Sequence, residues 1–158
     1  MAIVEETLQM ESRLDQTAWR LLRELQADAR LSFSELARRV GMSTPAVAER
    51  VRRLEETGAI TGYRAVVDRA RLGRPLGAFL RLTTSATSYQ RVIALCGTLD
   101  AVLECHHITG EDCFLIRLAV TSVAELEDVI ARFRRFGTAQ TSIVLSSPVT
   151  DKPAQAPA

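Results

Sequence analysis

Three short amphipathic patterns follow one another in the first third of the chain. Leu14, Ala18, Leu21, Leu22 and Leu25 recur at helical spacing, with Trp19 at the margin, and predict a first helix over about four turns. Asp28 to Leu31 breaks it. Ser32-Phe33-Ser34-Glu35 then has the form of a capping box, followed by Leu36, Ala37 and Val40 on one face. Gly41 ends this second helix and Ser43 opens a third, in which Pro45 occupies the first turn, where a missing N–H costs nothing, and Gly58 suits the left-handed position after the last turn. Within the third helix Val47, Val51 and Leu54 form one narrow buried stripe. Two helices joined by a three- or four-residue turn that starts with Gly describe a helix-turn-helix.

The period changes further on. Ile60 to Asp68 has a strand-like composition, and Arg69 to Gly77, with its glycines and Pro75, reads as a linker. Ala78–Thr84, Val102–Thr109, Cys113–Val120 and Thr141–Ser146 read as strands. Between them, Val92, Ile93, Leu95, Cys96 and Leu99 line one helix, and Leu126, Val129, Ile130 and Phe133 line another. Two βαβ units joined by a tight turn at Gly110 make a ferredoxin-like βαββαβ domain. The expected fold is therefore α+β: an arm (1–12), a winged-type helix-turn-helix domain (13–67), a hinge (68–77), a βαββαβ domain (78–148) and a disordered Pro/Ala-rich tail (149–158). The helices of such a domain cover one face of its sheet. The other face here carries Arg81, Glu104 and Arg117, and is expected to meet a second subunit.

Composition adds limits. A hydrophobic content of 47% supports a packed core, and the chain has no apolar run long enough for a membrane-spanning helix, so a cytoplasmic location is the default. The net charge of +1 hides a division. Residues 38–74 hold nine arginines against four acids, giving +5, whereas residues 75–158 hold seven basic residues against eight acidic ones, giving −1. Local positive charge of this kind is the footprint of an anion-binding surface. Three cysteines, Cys96, Cys105 and Cys113, without C-x-x-C spacing suggest neither a disulfide framework nor a zinc knuckle. A metal site built from Cys105, His106, His107 and Cys113 is disfavoured as well, because adjacent strand residues point to opposite faces and Cys105 lies several residues from the turn.

The third helix carries the chemistry. Pro45, Ala46, Glu49, Arg52 and Arg53 fall on the face opposite the buried stripe, with Arg50 at the flank. Small residues at its leading end and arginines behind them suit a helix that enters the DNA major groove. Ser43, Thr44, Pro45, Ala46 and Glu49 are placed to meet base edges, Glu49 as an acceptor for a cytosine amino group. Arg50, Arg52 and Arg53 are placed for phosphates, against the alternative of pairs along the helix such as Glu49 with Arg53.

Leu36-Ala37-Arg38-Arg39-Val40-Gly41, Arg50-Val51-Arg52-Arg53-Leu54-Glu55, Gly58-Ala59-Ile60-Thr61-Gly62-Tyr63, Val102-Leu103-Glu104-Cys105-His106 and Thr109-Gly110-Glu111-Asp112 occur in this order. With them, the chain from Arg13 to Pro148 resembles the Lrp/AsnC, or feast/famine, family. The resemblance implies a transcriptional regulator, of amino-acid or nitrogen metabolism, that binds double-stranded DNA. It also implies a homodimer that assembles into tetramers or octamers, with no cofactor but with a small effector, often an amino acid, at subunit interfaces. Its second domain would be the family's RAM-type effector and oligomerisation domain. The family's ligand loop falls on Thr109, Gly110, Glu111, Asp112 and Cys113. Asp112 or Glu111 would meet the ammonium group of an amino acid and the Gly110 backbone its carboxylate, with hydroxyls from Thr138, Thr141 and Ser142. Members commonly carry an aspartate where Cys113 stands, which is a departure.

Two other readings compete. Sirohaem decarboxylases share the two-part architecture, and His106 or His107 would then act on a tetrapyrrole. The chain would otherwise be an effector-binding or oligomerisation module that does not bind DNA.

Overall fold

The computed structural model describes residues 14–110 and 113–157. Its chain divides between Ala65 and Val66 into two compact units, with residues 149–157 grouped with the first.

The first unit holds three helices, α1 (Gln16–Ala27), α2 (Phe33–Val40) and α3 (Thr44–Glu56). Each starts at a short polar side chain that satisfies an otherwise unpaired N–H: Asp15 accepts from Ala18, Ser32 from Glu35 and Ser43 from Ala46. Gly41 closes α2 in the left-handed region (φ 72°) and Gly58 follows α3 in the same region (φ 74°), where a Cβ would be strained. The buried stripes Ala18-Leu21-Leu25, Leu36-Ala37-Val40 and Val47-Val51-Leu54 meet in one core. Burial of each larger aliphatic chain there contributes about 1.5–3 kcal/mol. The capping box of α2 is only half made. Ser32 caps the Glu35 amide, but the Glu35 carboxylate turns to Arg38 and Arg39.

No strand forms over residues 61–68. The expected wing is therefore a segment outside any sheet.

The second unit is a four-stranded antiparallel sheet in the order β2-β3-β1-β4, with β1 (Leu76–Thr84), β2 (Val102–His107), β3 (Phe114–Val120) and β4 (Gly137–Ile143). Helices α4 (Tyr89–Thr98) and α5 (Val123–Arg134) connect β1 to β2 and β3 to β4. Ala78, Leu80 and Leu82 of β1 and Phe114, Ile116, Leu118 and Val120 of β3 share one core with Val92, Leu126, Val129 and Phe133 of the helices. Ile93, expected on the buried face of α4, is 49% exposed. Strand β4 begins at Gly137 rather than Thr141, because its polar sequence Gly-Thr-Ala-Gln-Thr-Ser-Ile sits on an edge and shows little hydrophobic alternation.

The hinge is fastened at its second half. Arg74 donates to the Ala119 carbonyl and to Glu125, each at 3.1 Å. The tail 149–157 has no helix or strand, and the Ala154 backbone exchanges two hydrogen bonds with the Gln26 side chain. The arm, residues 1–12, lies outside the described residues. No helix among the described residues is long and apolar enough to cross a membrane.

Candidate nucleic-acid and effector sites

Helix α3 presents Thr44, Pro45, Glu49, Arg52 and Arg53 to solvent, while Ala46 and Arg50 are half-buried. Ser43 is exposed, but its hydroxyl already accepts the Ala46 amide at 3.4 Å. The three arginines differ in what they hold. Arg50 donates to Asp15, the cap of α1, at 2.7 Å. Arg52 makes a two-pronged contact with Glu49 (2.6 and 2.7 Å) and reaches Glu56 at 2.9 Å. Arg53 makes no ion pair with a described carboxylate. The pairing of Glu49 along the helix is thus with Arg52, three residues on.

Nearby charges are engaged too. Glu35 accepts from Arg38 and from Arg39, and Arg39 also reaches Glu24 at 3.0 Å. The two guanidiniums, Arg38 first, hold the Glu35 carboxyl down to about 2. Tyr63 donates to Glu55 at 2.8 Å, and desolvation together with that bond pushes its phenol up to about 12.

In the second unit the hairpin between β2 and β3 brings Thr109 and Gly110 to the surface; Glu111 and Asp112 lie outside the described residues. Cys113 is turned inward. Its amide donates to the Leu82 carbonyl at 2.9 Å and its thiol to the Thr84 carbonyl at 3.1 Å. The register sets Thr138 against Thr83, at the same end of the sheet as this turn. Ser142 pairs with Phe79, four residues further along β4, about 13 Å at ~3.3 Å per residue. Thr141 faces the other way, toward the helices like its partner Leu80, and its hydroxyl is buried without a hydrogen bond. Thr109, Gly110, Cys113 and Thr138 thus lie toward one end of the sheet, Thr138 across β1 from the turn, while Ser142 lies further along β4 and Thr141 on the other face. The earlier start of β4 brings Thr138 into the strand beside them.

The two histidines diverge as strand neighbours must. His106 lies on the uncovered face with Glu104 at 3.3 Å, and His107 stacks edge-on with Tyr89 at a centroid distance of 4.7 Å. Tyr89 also packs on Phe114. No local pattern marks Tyr89 in the sequence, because its aromatic partners come from strands distant in the chain.

Residues 14–55 match the AsnC-type helix-turn-helix domain and residues 77–154 the Lrp/AsnC ligand binding domain. The chain belongs to the Lrp/AsnC family. It is 33% identical over 134 residues to the HTH-type transcriptional regulator LrpC of Bacillus subtilis, covering 85% of this chain and 93% of that one. It is 35% identical over 146 residues to LrpA of Mycobacterium tuberculosis, covering 90% and 97%. Among solved structures, the feast or famine regulatory protein of M. tuberculosis complexed with L-methionine is 34% identical, with a TM-score of 0.82 over 91% of this chain and 99% of that one. The protein is accordingly a transcriptional regulator of the Lrp/AsnC family and not an enzyme, which removes the tetrapyrrole reading of His106 and His107. Its first unit is the DNA-binding type of domain and its second the ligand-binding type.

Proposed function

We propose that this Lrp/AsnC regulator reads DNA with α3 and binds an amino acid at the β2–β3 turn. Support for the first part is the division of α3 into a small-headed, exposed leading end at Thr44 and Pro45 and a cationic trailing end. Thr44, Pro45, Ala46 and Glu49 meet base edges; Ser43 is spent on capping and offers its backbone. Arg53, without a described carboxylate to leave, is the readiest phosphate contact, and Arg52 adds a second once it exchanges Glu49 and Glu56 for a phosphate. Arg50 keeps α3 seated on α1 instead.

The effector is an amino acid, as supported by the two structures of relatives that hold L-methionine. In this chain its carboxylate meets the Gly110 backbone and its ammonium Asp112 or Glu111, with Thr109 and Thr138 at the rim. Cys113 shapes the turn from inside, since its thiol is committed to Thr84. The functional unit is a cytoplasmic homodimer joined through the uncovered sheet face. That face displays Phe79 (37% exposed) and Leu115 beside the Glu104–Arg117 pair, and dimers of this kind assemble further into tetramers or octamers.

The observation that carries the reading is the exposed Arg53, paired with no described carboxylate, behind the open leading turn of α3. Genome-wide footprinting with and without a panel of amino acids tests both halves. Discrete protected sites that change with one amino acid support it; an absence of discrete sites overturns it.

A further inference from the structure

The second unit has an overall charge near neutrality, yet Arg132 and Arg135 line one cleft and Arg91 lies over the Phe136 ring of the same cleft. Arg132, Arg134 and Arg135 lie at the end of α5, and Arg91 lies in the first turns of α4. All four are exposed, and none forms an ion pair with a described residue. Leu95, Arg132, Arg135 and Phe136 line a cleft of about 320 Å³. This is the lower end of the roughly 300–1,000 Å³ that holds small molecules.

Two of the lining side chains are apolar and fixed. Leu95 and Phe136 are half-buried against the core. The Phe136 amide donates to the Phe133 carbonyl, and the Phe136 carbonyl accepts from the Thr84 hydroxyl. The Arg91 guanidinium lies over the Phe136 ring, 5.1 Å from its centre, so a flat group entering here stacks on a guanidinium plane already backed by an aromatic ring. A helix C-terminus favours one or two cations on its own. It does not account for Arg91, from a second helix, lying over the Phe136 ring.

We infer that this cleft binds a small anion bearing a flat ring, a nucleoside phosphate by class. The base lies against Arg91, backed by Phe136, and the phosphates are held by Arg132 and Arg135, whose planar donors match phosphate oxygens. The site is on the helix-covered side of the sheet, and Thr84 links it to the β2–β3 turn, donating to the Phe136 carbonyl and accepting from the Cys113 thiol. A duplex backbone is a poorer occupant, because it presents phosphates but no exposed ring to the cleft.

The test titrates the full chain with ATP, AMP and inorganic phosphate, following heat and thermal stabilisation, and measures duplex DNA binding in parallel. A saturable nucleotide complex is expected, weakened about tenfold or more in R132Q/R135Q. Phe136→Leu should weaken nucleotide binding while leaving inorganic phosphate unchanged. The inference is overturned if no nucleotide saturates the wild type at millimolar concentration, or if nucleotides bind no better than inorganic phosphate. Equal binding by R132Q/R135Q overturns it too, as does a variant whose sole defect is weaker duplex binding, which would make the patch a DNA contact.

Discussion

Arg50, in the middle of α3, donates to the carboxylate of Asp15, the residue that caps α1. Thirty-five positions separate them, yet the pair ties α3 to the start of the domain. Asp15 also accepts the Ala18 amide at 2.7 Å, and this bond, ahead of the Arg50 contact, lowers its pKa. An arginine on α3 that resembles a phosphate contact in sequence thus has a carboxylate partner within its own domain.

Loss of this contact should therefore be read in stability. Arg50→Ala removes a partly exposed ion pair and is expected to cost about 1 kcal/mol or less. Asp15→Ala removes the cap as well and should cost about 1 kcal/mol more. Urea unfolding of both single variants and the double variant measures the coupling, while duplex affinity of Arg50→Ala stays near the wild-type value.

Glu35 makes a pH prediction. Its carboxyl is held at about 2 in the folded chain against 4.5 when free of its arginines. A lowered folded pKa stabilises the protein above the unfolded value, and that contribution is lost as pH falls from about 4.5 through about 2. Melting temperature followed over this window should drop more steeply for the wild type than for Glu35→Gln. Parallel curves would mean that Arg38 and Arg39 do not hold Glu35 in solution.

Gly137 is required for close approach. A Cβ there would collide with the backbone carbonyl of Thr83, which cannot move without breaking the β1–β4 ladder. Gly137→Ala is expected to destabilise the second unit by about 2 kcal/mol or more, seen by calorimetry.

Thr141 gives the opposite sign. Its hydroxyl is buried and unbonded, so Thr141→Val should leave stability unchanged or raise it by up to about 1 kcal/mol. Because Thr141 faces the helices, amino-acid-dependent thermal stabilisation should survive the change. Disappearance of that stabilisation would return Thr141 to the effector site.

Much of this arrangement is legible in sequence. The caps Ser32 and Ser43, the turn at Gly41 and the stripe Val47-Val51-Leu54 are local signals, and the helices they announce are present. What is not legible depends on partners far along the chain. Nothing in the run Arg50-Val51-Arg52-Arg53 says that Arg50 will find Asp15 while Arg53 finds no described carboxylate. The early start of β4 is hidden for a related reason: an edge strand has one hydrogen-bonded neighbour and needs few apolar residues, so Thr138 and Thr141 could be assigned to faces only from the register with β1. Arg132, Arg134 and Arg135 cancel against acids elsewhere in any sum of charge although they are neighbours in sequence, and only the packing of α4 and α5 on one sheet face brings Arg91 to them.

If α3 holds DNA through its trailing arginines, the salt dependence of duplex binding shows it most directly. The Arg52→Ala/Arg53→Ala variant should bind more weakly to every sequence, with the slope of log affinity against log salt reduced by about 0.9 for each phosphate that the variant no longer neutralises. Unchanged affinity and an unchanged slope would contradict a DNA-holding role for these two residues.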